Sequence, residues 1–220
     1  MEKNDMMLGF DFMPEAVILG GGDFPSNDIP VNMLRECSRT VCCDGAANQC
    51  REKGITPWRI VGDGDSISDE TRSAFGDIIS TFPDQETNDQ TKAVKFLVRH
   101  GFKEIAIVGA TGRREDHTLG NISLLMEYMH EGIDVRIFTD YGVFIPCRDD
   151  NSFCCPKGTA VSVFGYGTQG MKSCGLAYEL YDFSSWWQGT LNHSVEDAFS
   201  ISCKGEYMVF LNYENKKIRE

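Results

Sequence analysis

Basic residues are scarce in this chain: 21 lysines and arginines stand against 33 aspartates and glutamates, a formal net charge of −12. Nucleic acid backbones are gripped through basic patches, so this balance argues against nucleic acid as a partner. A long apolar run is also missing. The amino terminus MEKNDMMLGFDFM is interrupted by acids, and neither a signal peptide nor a membrane span is expected. The nine cysteines form an odd set without CxxC spacing, which reads as reduced thiols in a cytoplasmic protein and not as a disulfide or zinc framework. Neither the full dinucleotide fingerprint nor a Walker-type GxxxxGK[ST] occurs. What is present is ordinary globular material, 220 residues with 41% hydrophobic and 25% charged, enough for one or two domains with a buried core.

Chemistry is concentrated between Val61 and Lys92, VGDGDSISDETRSAFGDIISTFPDQETNDQTK, where Asp63, Asp65, Asp84, Glu86 and Asp89 stand out. Val61 to Asp65 reads as a strand running into a glycine-spaced loop, so Asp63 and Asp65 emerge where open α/β sheets place their ligands. Two acids one residue apart can face one cation. Mg²⁺ takes hard oxygen ligands, commonly one or two carboxylates with the rest from water and substrate phosphates. A short strand, Ile78 to Phe82, follows, and Asn88 is placed to cap a helix carrying Asp89 and Lys92. Those two are three apart and share one helix face, suited to holding metal and phosphate side by side.

The rest of the first 140 residues repeats one rhythm. Glu15 to Gly20 is a buried strand breaking into Gly20, Gly21 and Gly22, whose backbone N–H groups can approach an anion. Ile29 to Cys37 is helical, and Thr40 to Cys43 is a strand ending in Asp44-Gly45-Ala46-Ala47-Asn48, before a helix from Ala46 to Lys53. After the Asp89 helix, which runs to His100, comes the strand Lys103 to Val108. It opens into Gly109 to His117, where Arg113 and Arg114 suit bidentate phosphate contact and Asp116 and His117 stand before a helix from Thr118 to Met129. Gly132 to Thr139 adds a last strand. Such alternation predicts a parallel, doubly wound, Rossmann-like α/β domain over residues 1–140.

Beyond Tyr141 the period changes to short apolar runs: Val143 to Cys147, Thr159 to Gly165, Met171 to Cys174, Leu176 to Tyr181, Phe199 to Cys203 and Tyr207 to Asn212. These predict a small all-β sandwich or barrel over 141–220. Trp186 and Trp187 read as core residues or as part of an aromatic lid.

Taken together, Asp44-Gly45-Ala46-Ala47-Asn48, Gly62-Asp63-Gly64-Asp65-Ser66, Asp84-Gln85 with Asp89-Gln90-Thr91-Lys92, Gly112-Arg113-Arg114-Glu115-Asp116-His117 with Asn121, and Gly175-Leu176-Ala177-Tyr178-Glu179-Leu180 resemble the thiamine pyrophosphokinase family in order and spacing. The resemblance implies transfer of the pyrophosphoryl group of ATP to thiamine, giving thiamine diphosphate and AMP with Mg²⁺, by a homodimer with thiamine between the β domain of one subunit and the α/β domain of the other. It implies Asp63, Asp65, Asp84 and Asp89 at the metal, and Gly21, Gly22, Asp44, Asn48, Ser66, Gln85, Lys92, Arg114 and His117 around nucleotide and phosphates. Asp116 would face the substrate or activate its hydroxyl, and Tyr178 and Asn192 would contact thiamine. Two departures are visible: Gly64 stands where a bulkier residue is often found, and Leu191-Asn192 where Ser-Asn is expected. A pyrophosphokinase for another heterocyclic alcohol such as a pterin, a non-catalytic thiamine or nucleotide binder, and a metal phosphohydrolase are the competing readings.

Overall fold

The computed structural model describes residues 8–81 and 87–215 and divides the chain into two units. One contains residues 14–140; the other gathers 141–215 together with residues 8–13. The boundary at Asp140 coincides with the change of sequence rhythm, whereas residues 8–13 pack with the later unit, through strand β1 (Leu8–Gly9), and not with the α/β unit that follows them in sequence.

In the α/β unit, β2 (Ala16–Leu19), α1 (Asp28–Glu36), β3 (Thr40–Cys43), α2 (Ala46–Glu52), β4 (Arg59–Gly62), α3 (Asp69–Phe75), β5 (Ile79–Thr81), α4 (Asp89–Arg99), β6 (Glu104–Val108), α5 (Glu115–His130) and β7 (Asp134–Phe138) follow one another. Every strand pairing is parallel, in the order β7-β6-β2-β3-β4-β5. Chain growth therefore runs outward from β2 to β5 and then reverses to β6 on the other side of β2. All four positions of β2 and of β3 are buried, which is why AVIL and TVCC read as unbroken apolar runs and why Cys42 and Cys43 are both core although side chains alternate faces along a strand.

Helix ends follow the sequence signals. Asn27, Ser68 and Asn88 each cap a helix with a side-chain oxygen, Asn88 Oδ1 accepting from the Thr91 N–H at 2.9 Å. Along α4, Ala93, Val94 and Leu97 form an apolar stripe against the sheet. Gln90 and Lys92 are buried with them. Helix α5 begins at Glu115, three residues before the expected start at Thr118, with the backbone of Arg114 at its entry and no side-chain cap.

In the β unit, β8 (Gly142–Arg148), β9 (Asn151–Cys154), β10 (Thr159–Cys174), β11 (Asn192–His193) and β12 (Ala198–Asn215) are antiparallel, and β1 runs parallel to β9. Strand β12 lies between partners: β10 along most of one edge, β8 beside its second half and β9 beside its first. The expected runs 159–165 and 171–174 are thus one strand, as are 199–203 and 207–212. The glycines between them sit at register shifts between Tyr166 and Lys172, where a strand bends without ending. Leu176 to Tyr181 is not a strand; it makes one isolated bridge, Leu176 to Ser194. Val143, Ile145, Phe153, Val161, Val163, Phe199, Val209 and Leu211 form the core. The core reading of Trp186 and Trp187 is overturned, since they are 50% and 73% exposed.

Candidate active site at the strand ends of the α/β unit

Because the strands are parallel, the residues following β2, β3, β4 and β6 leave the sheet at one edge, on both sides of the point where strand order reverses. A cleft of about 930 Å³ opens there, and Gly20, Asp44, Ser66, Asp89, Arg114 and Asn121 are among its lining residues. Two of its walls are loops packed backbone to backbone. The Gly22 N–H donates to the Gly109 carbonyl at 2.7 Å, and a Cβ on Gly22 would lie 2.3 Å from the Thr111 oxygen, an approach only glycine permits. Gly21, by contrast, has open space around it, toward the cleft that it lines.

Behind β3, Asp44 is buried and adopts a left-handed φ of 35°. Its Oδ1 accepts from the Gly64 N–H at 2.9 Å and its Oδ2 from the Ser66 N–H at 3.1 Å. Asn48 does the same work one turn along: its amide donates to the Ser66 carbonyl at 2.9 Å and accepts from the Ser68 N–H at 3.0 Å. Both residues, expected around the nucleotide, are engaged in shaping the loop after β4. That loop turns Asp63 and Asp65 outward, exposed, with the Ser66 hydroxyl donating to Asp65 at 2.9 Å.

Carboxylate oxygens of Asp44, Asp63 and Asp65 lie within 4.8 Å of one another. At such separations each ionised pair repels by about 1 kcal/mol in water, more in a drier setting. The three could hold a hard divalent cation, and an all-carboxylate cluster with open sides suits Mg²⁺ carrying water and phosphate ligands. Asp89 is not in this group. It lines the cleft from the first turn of α4 and accepts from Lys92 Nζ at 3.0 Å, the lysine side chain being only 8% exposed. Asp84 and Gln85 lie outside the described residues.

Across the cleft, Arg114 grips Asp116 with two bonds, Nε to Oδ1 at 3.1 Å and Nη2 to Oδ2 at 2.6 Å. The guanidinium holds the Asp116 carboxyl below the usual range, helped by the His117 N–H, and Asp116 raises Arg114 in turn. His117 is exposed and lines the cleft. Arg113 reaches Asp23 at 3.7 Å. At the floor, burial and the negative charges of Asp89 and Asp44 push the Cys43 thiol far up, so it is neutral and inert there.

Sequence reading missed the amide network joining these walls. Asn88 donates to the Asn121 side chain at 3.3 Å, Gln90 to the Asn121 carbonyl at 3.1 Å, and Asn121 to the Ala110 carbonyl at 2.9 Å. Its signal was available: Gln90 interrupts the i, i+3, i+4, i+7 stripe completed by Ala93, Val94 and Leu97, and a polar residue there needs partners.

The β unit holds the remaining expected residues. Tyr178 is 65% exposed, its ring edge-on to His193 at 6.3 Å. Asn192 is buried, and its amide closes a two-point bridge with the Tyr178 backbone, accepting from the N–H at 3.0 Å and donating to the carbonyl at 2.7 Å. Asn192 therefore positions Tyr178 in this structure. Leu191, just before it, is exposed and carries a φ of 68°. Around Trp186 lie Phe164 and Tyr166, the latter with ring centroids 5.6 Å apart.

What the cleft offers a ligand is charge and position, the two things phosphoryl transfer draws on. Residues 31–137 match the model of the thiamin pyrophosphokinase catalytic domain, and residues 142–210 that of the thiamin pyrophosphokinase substrate-binding domain. The chain belongs to the thiamin pyrophosphokinase family. It is 32% identical over 131 residues to thiamine pyrophosphokinase 1 of Oryza sativa subsp. japonica, covering 48% of this chain and 49% of that protein. This chain spans about half the length of the curated relatives it matches. Among solved structures, the thiamin pyrophosphokinase from Candida albicans superposes with a TM-score of 0.77 at 16% identity, over 97% of this chain and 95% of that one. Thiamine pyrophosphokinase from Bacillus subtilis gives 0.75 at 19% identity, over 90% and 99%. At these identities the structural likeness concerns the fold, a mixed α/β architecture.

Proposed function

We propose that the protein is an ATP:thiamine diphosphotransferase, moving the pyrophosphoryl group of ATP onto the hydroxyethyl oxygen of thiamine and releasing AMP. What supports this reading is that Asp44 of the carboxylate cluster, Asp89 with its bond to the buried Lys92, and the Arg114–Asp116 pair line one cleft, within residues matched by the catalytic-domain model. The finer description of the α/β unit as doubly wound and Rossmann-like, with ATP bound at its strand ends, belongs to the same proposal, as do a thiamine-binding and dimerisation role for the β unit, a cytoplasmic location and a homodimeric state.

Asp63 and Asp65 would hold Mg²⁺, with Asp44 behind them; the ion, when bound, neutralises charge developing on the phosphate oxygens. Lys92, aimed by Asp89, would donate to the transferred phosphates, and the unobstructed backbone at Gly21 would let the phosphate chain approach closely. Arg114 begins on Asp116. Once Arg114 turns to a phosphate, Asp116 loses the partner that keeps its carboxyl acidic and becomes a better base for the thiamine hydroxyl. The hydroxyl oxygen then bonds to the β-phosphorus, the bond from that phosphorus to the α-bridging oxygen breaks, AMP leaves, and the proton passes to Asp116. Tyr178 would face thiamine, a permanent cation that an aromatic ring attracts by about 0.5–2 kcal/mol.

The test is an assay of purified protein with ATP and Mg²⁺ against thiamine, a hydroxymethylpterin and no acceptor, reading AMP, orthophosphate and diphosphorylated product. Thiamine-dependent AMP is expected. AMP with the pterin alone, or orthophosphate without any acceptor, would overturn the assignment.

A further inference from the structure

Gly64 stands between the two exposed acids of the carboxylate loop. It is buried and left-handed at φ 83°, so both of its backbone polar groups need partners inside the protein. Those partners are oppositely charged side chains. The N–H donates to the buried carboxylate of Asp44 at 2.9 Å, and the carbonyl accepts from Arg72 Nη2, on the second turn of α3. The arginine packs against the open face of the glycine: a Cβ built at position 64 would meet it at ordinary van der Waals distance, 3.6 Å from Nη2 and 3.8 Å from Nη1. The helix carrying it is anchored to the same region, with Ser68 capping its start and Arg51 of α2 donating to Thr71 at 3.1 Å.

From this geometry we infer that Arg72 is a positioning residue for the Asp63–Asp65 pair. It holds the loop in its metal-ready shape before any cation arrives. A carboxylate on one side of Gly64 and a guanidinium on the other give two charge-assisted bonds to adjacent peptide groups, each of the stronger kind. Without Arg72 a buried carbonyl is orphaned, and the loop relieves it by turning outward, taking Asp65 with it. No other residue type does this as well, because a flat guanidinium can lie over a glycine while donating to its carbonyl.

The inference rests on the metal reading of the three acids, and the sign of one effect separates it from a simple charge role. Arg72 is exposed. If it acted only as a positive charge near the acids, its removal would tighten divalent cation binding. If it acts as a clamp, removal weakens binding.

Direct Mn²⁺ titration of the full chain, following the free-ion signal by electron paramagnetic resonance, decides between them. Arg72→Ala is expected to raise the Mn²⁺ dissociation constant about tenfold, with a melting temperature close to wild type and faster amide exchange at Gly64 and Ser66. Arg72→Lys, which keeps the charge but not the planar fork, is expected to raise the constant about fourfold, and it carries the test if the alanine variant does not fold. Binding unchanged within twofold, or tighter, in either variant overturns the inference. Failure of the wild type to bind Mn²⁺ sinks the metal reading and the inference together.

Discussion

The two units of this chain use residues of opposite character at their exposed functional candidates. In the α/β unit the candidates are charged and are held by other charged or amide groups: Asp44 and Arg72 on Gly64, Lys92 on Asp89, Arg114 on Asp116. In the β unit they are aromatic and are held by backbone, as Tyr178 is through Asn192. Under the proposed function, the difference follows from what each unit binds. A cleft for a polyanion and its cation must keep like charges close, and only counter-charges make that tolerable. A surface for a cationic ring needs faces of aromatic rings, whose orientation the main chain can set.

This contrast can be broken by substitution. The largest effect is expected from Asp65→Asn, which leaves the fold intact, since Asp65 is exposed and its charge is repelled by two neighbours. Turnover, read as AMP formation, should fall roughly 10²–10³-fold, the scale of losing one group that stabilises transition-state charge. The melting temperature should hold or rise slightly. Retained turnover would place the cation elsewhere.

Next comes Lys92→Met, which removes the cation facing Asp89 from a buried position. Turnover is expected to drop about 100-fold and thermal stability to fall, because the pair is partly desolvated. An unchanged melting curve would show that Asp89 finds water at once.

In the β unit, Tyr178→Ala should raise the KM for thiamine by roughly 2- to 30-fold, the range a cation–π contact of about 0.5–2 kcal/mol allows, with the KM for ATP unmoved. Asn192→Ala should copy that KM effect and also destabilise, by about 1–3 kcal/mol, since it orphans the Tyr178 peptide. If the alanine at 192 leaves KM alone, the bridge is structural only.

The smallest effect concerns pH. Asp116 is held below its unfolded value by Arg114, so its contribution is present above the ordinary aspartate range and lost as pH falls through the lowered folded value. Arg114→Ala should move the acid limb of kcat/KM upward, toward the ordinary aspartate value of about 3.9. A limb that stays put would remove Asp116 from the rate-controlling protonation.

Most of the α/β unit was legible because its determinants are local. Strands buried on both faces read as apolar runs, the Asn88 cap as Asn before a helix, and loop acids as residues just past a strand, while the short helix Asp69–Phe75 behind its Ser68 cap went unread. The β unit was less legible. Two long strands looked like four, because a glycine in a bend and a glycine in a turn are the same letter; whether the chain continues or reverses there depends on a partner strand far along the sequence. The exposed tryptophans were misread as core for a similar reason: large apolar residues are usually inside, and only the packing around them shows otherwise.

By itself the sequence determined which groups could carry chemistry and where along the chain they would leave a strand, since both depend on residue type and on a few neighbours. Tertiary structure alone decided what each group is paired with. It made Asp44 and Asn48 supports of the carboxylate loop, set Asp89 on Lys92 and Asp116 on Arg114, and gave Gly64 its arginine. Pairing is a matter of ångströms: the spacing of three between Asp89 and Lys92 hints at theirs, but the bonds of Asp44 to residues 20 and 22 places along follow no local pattern.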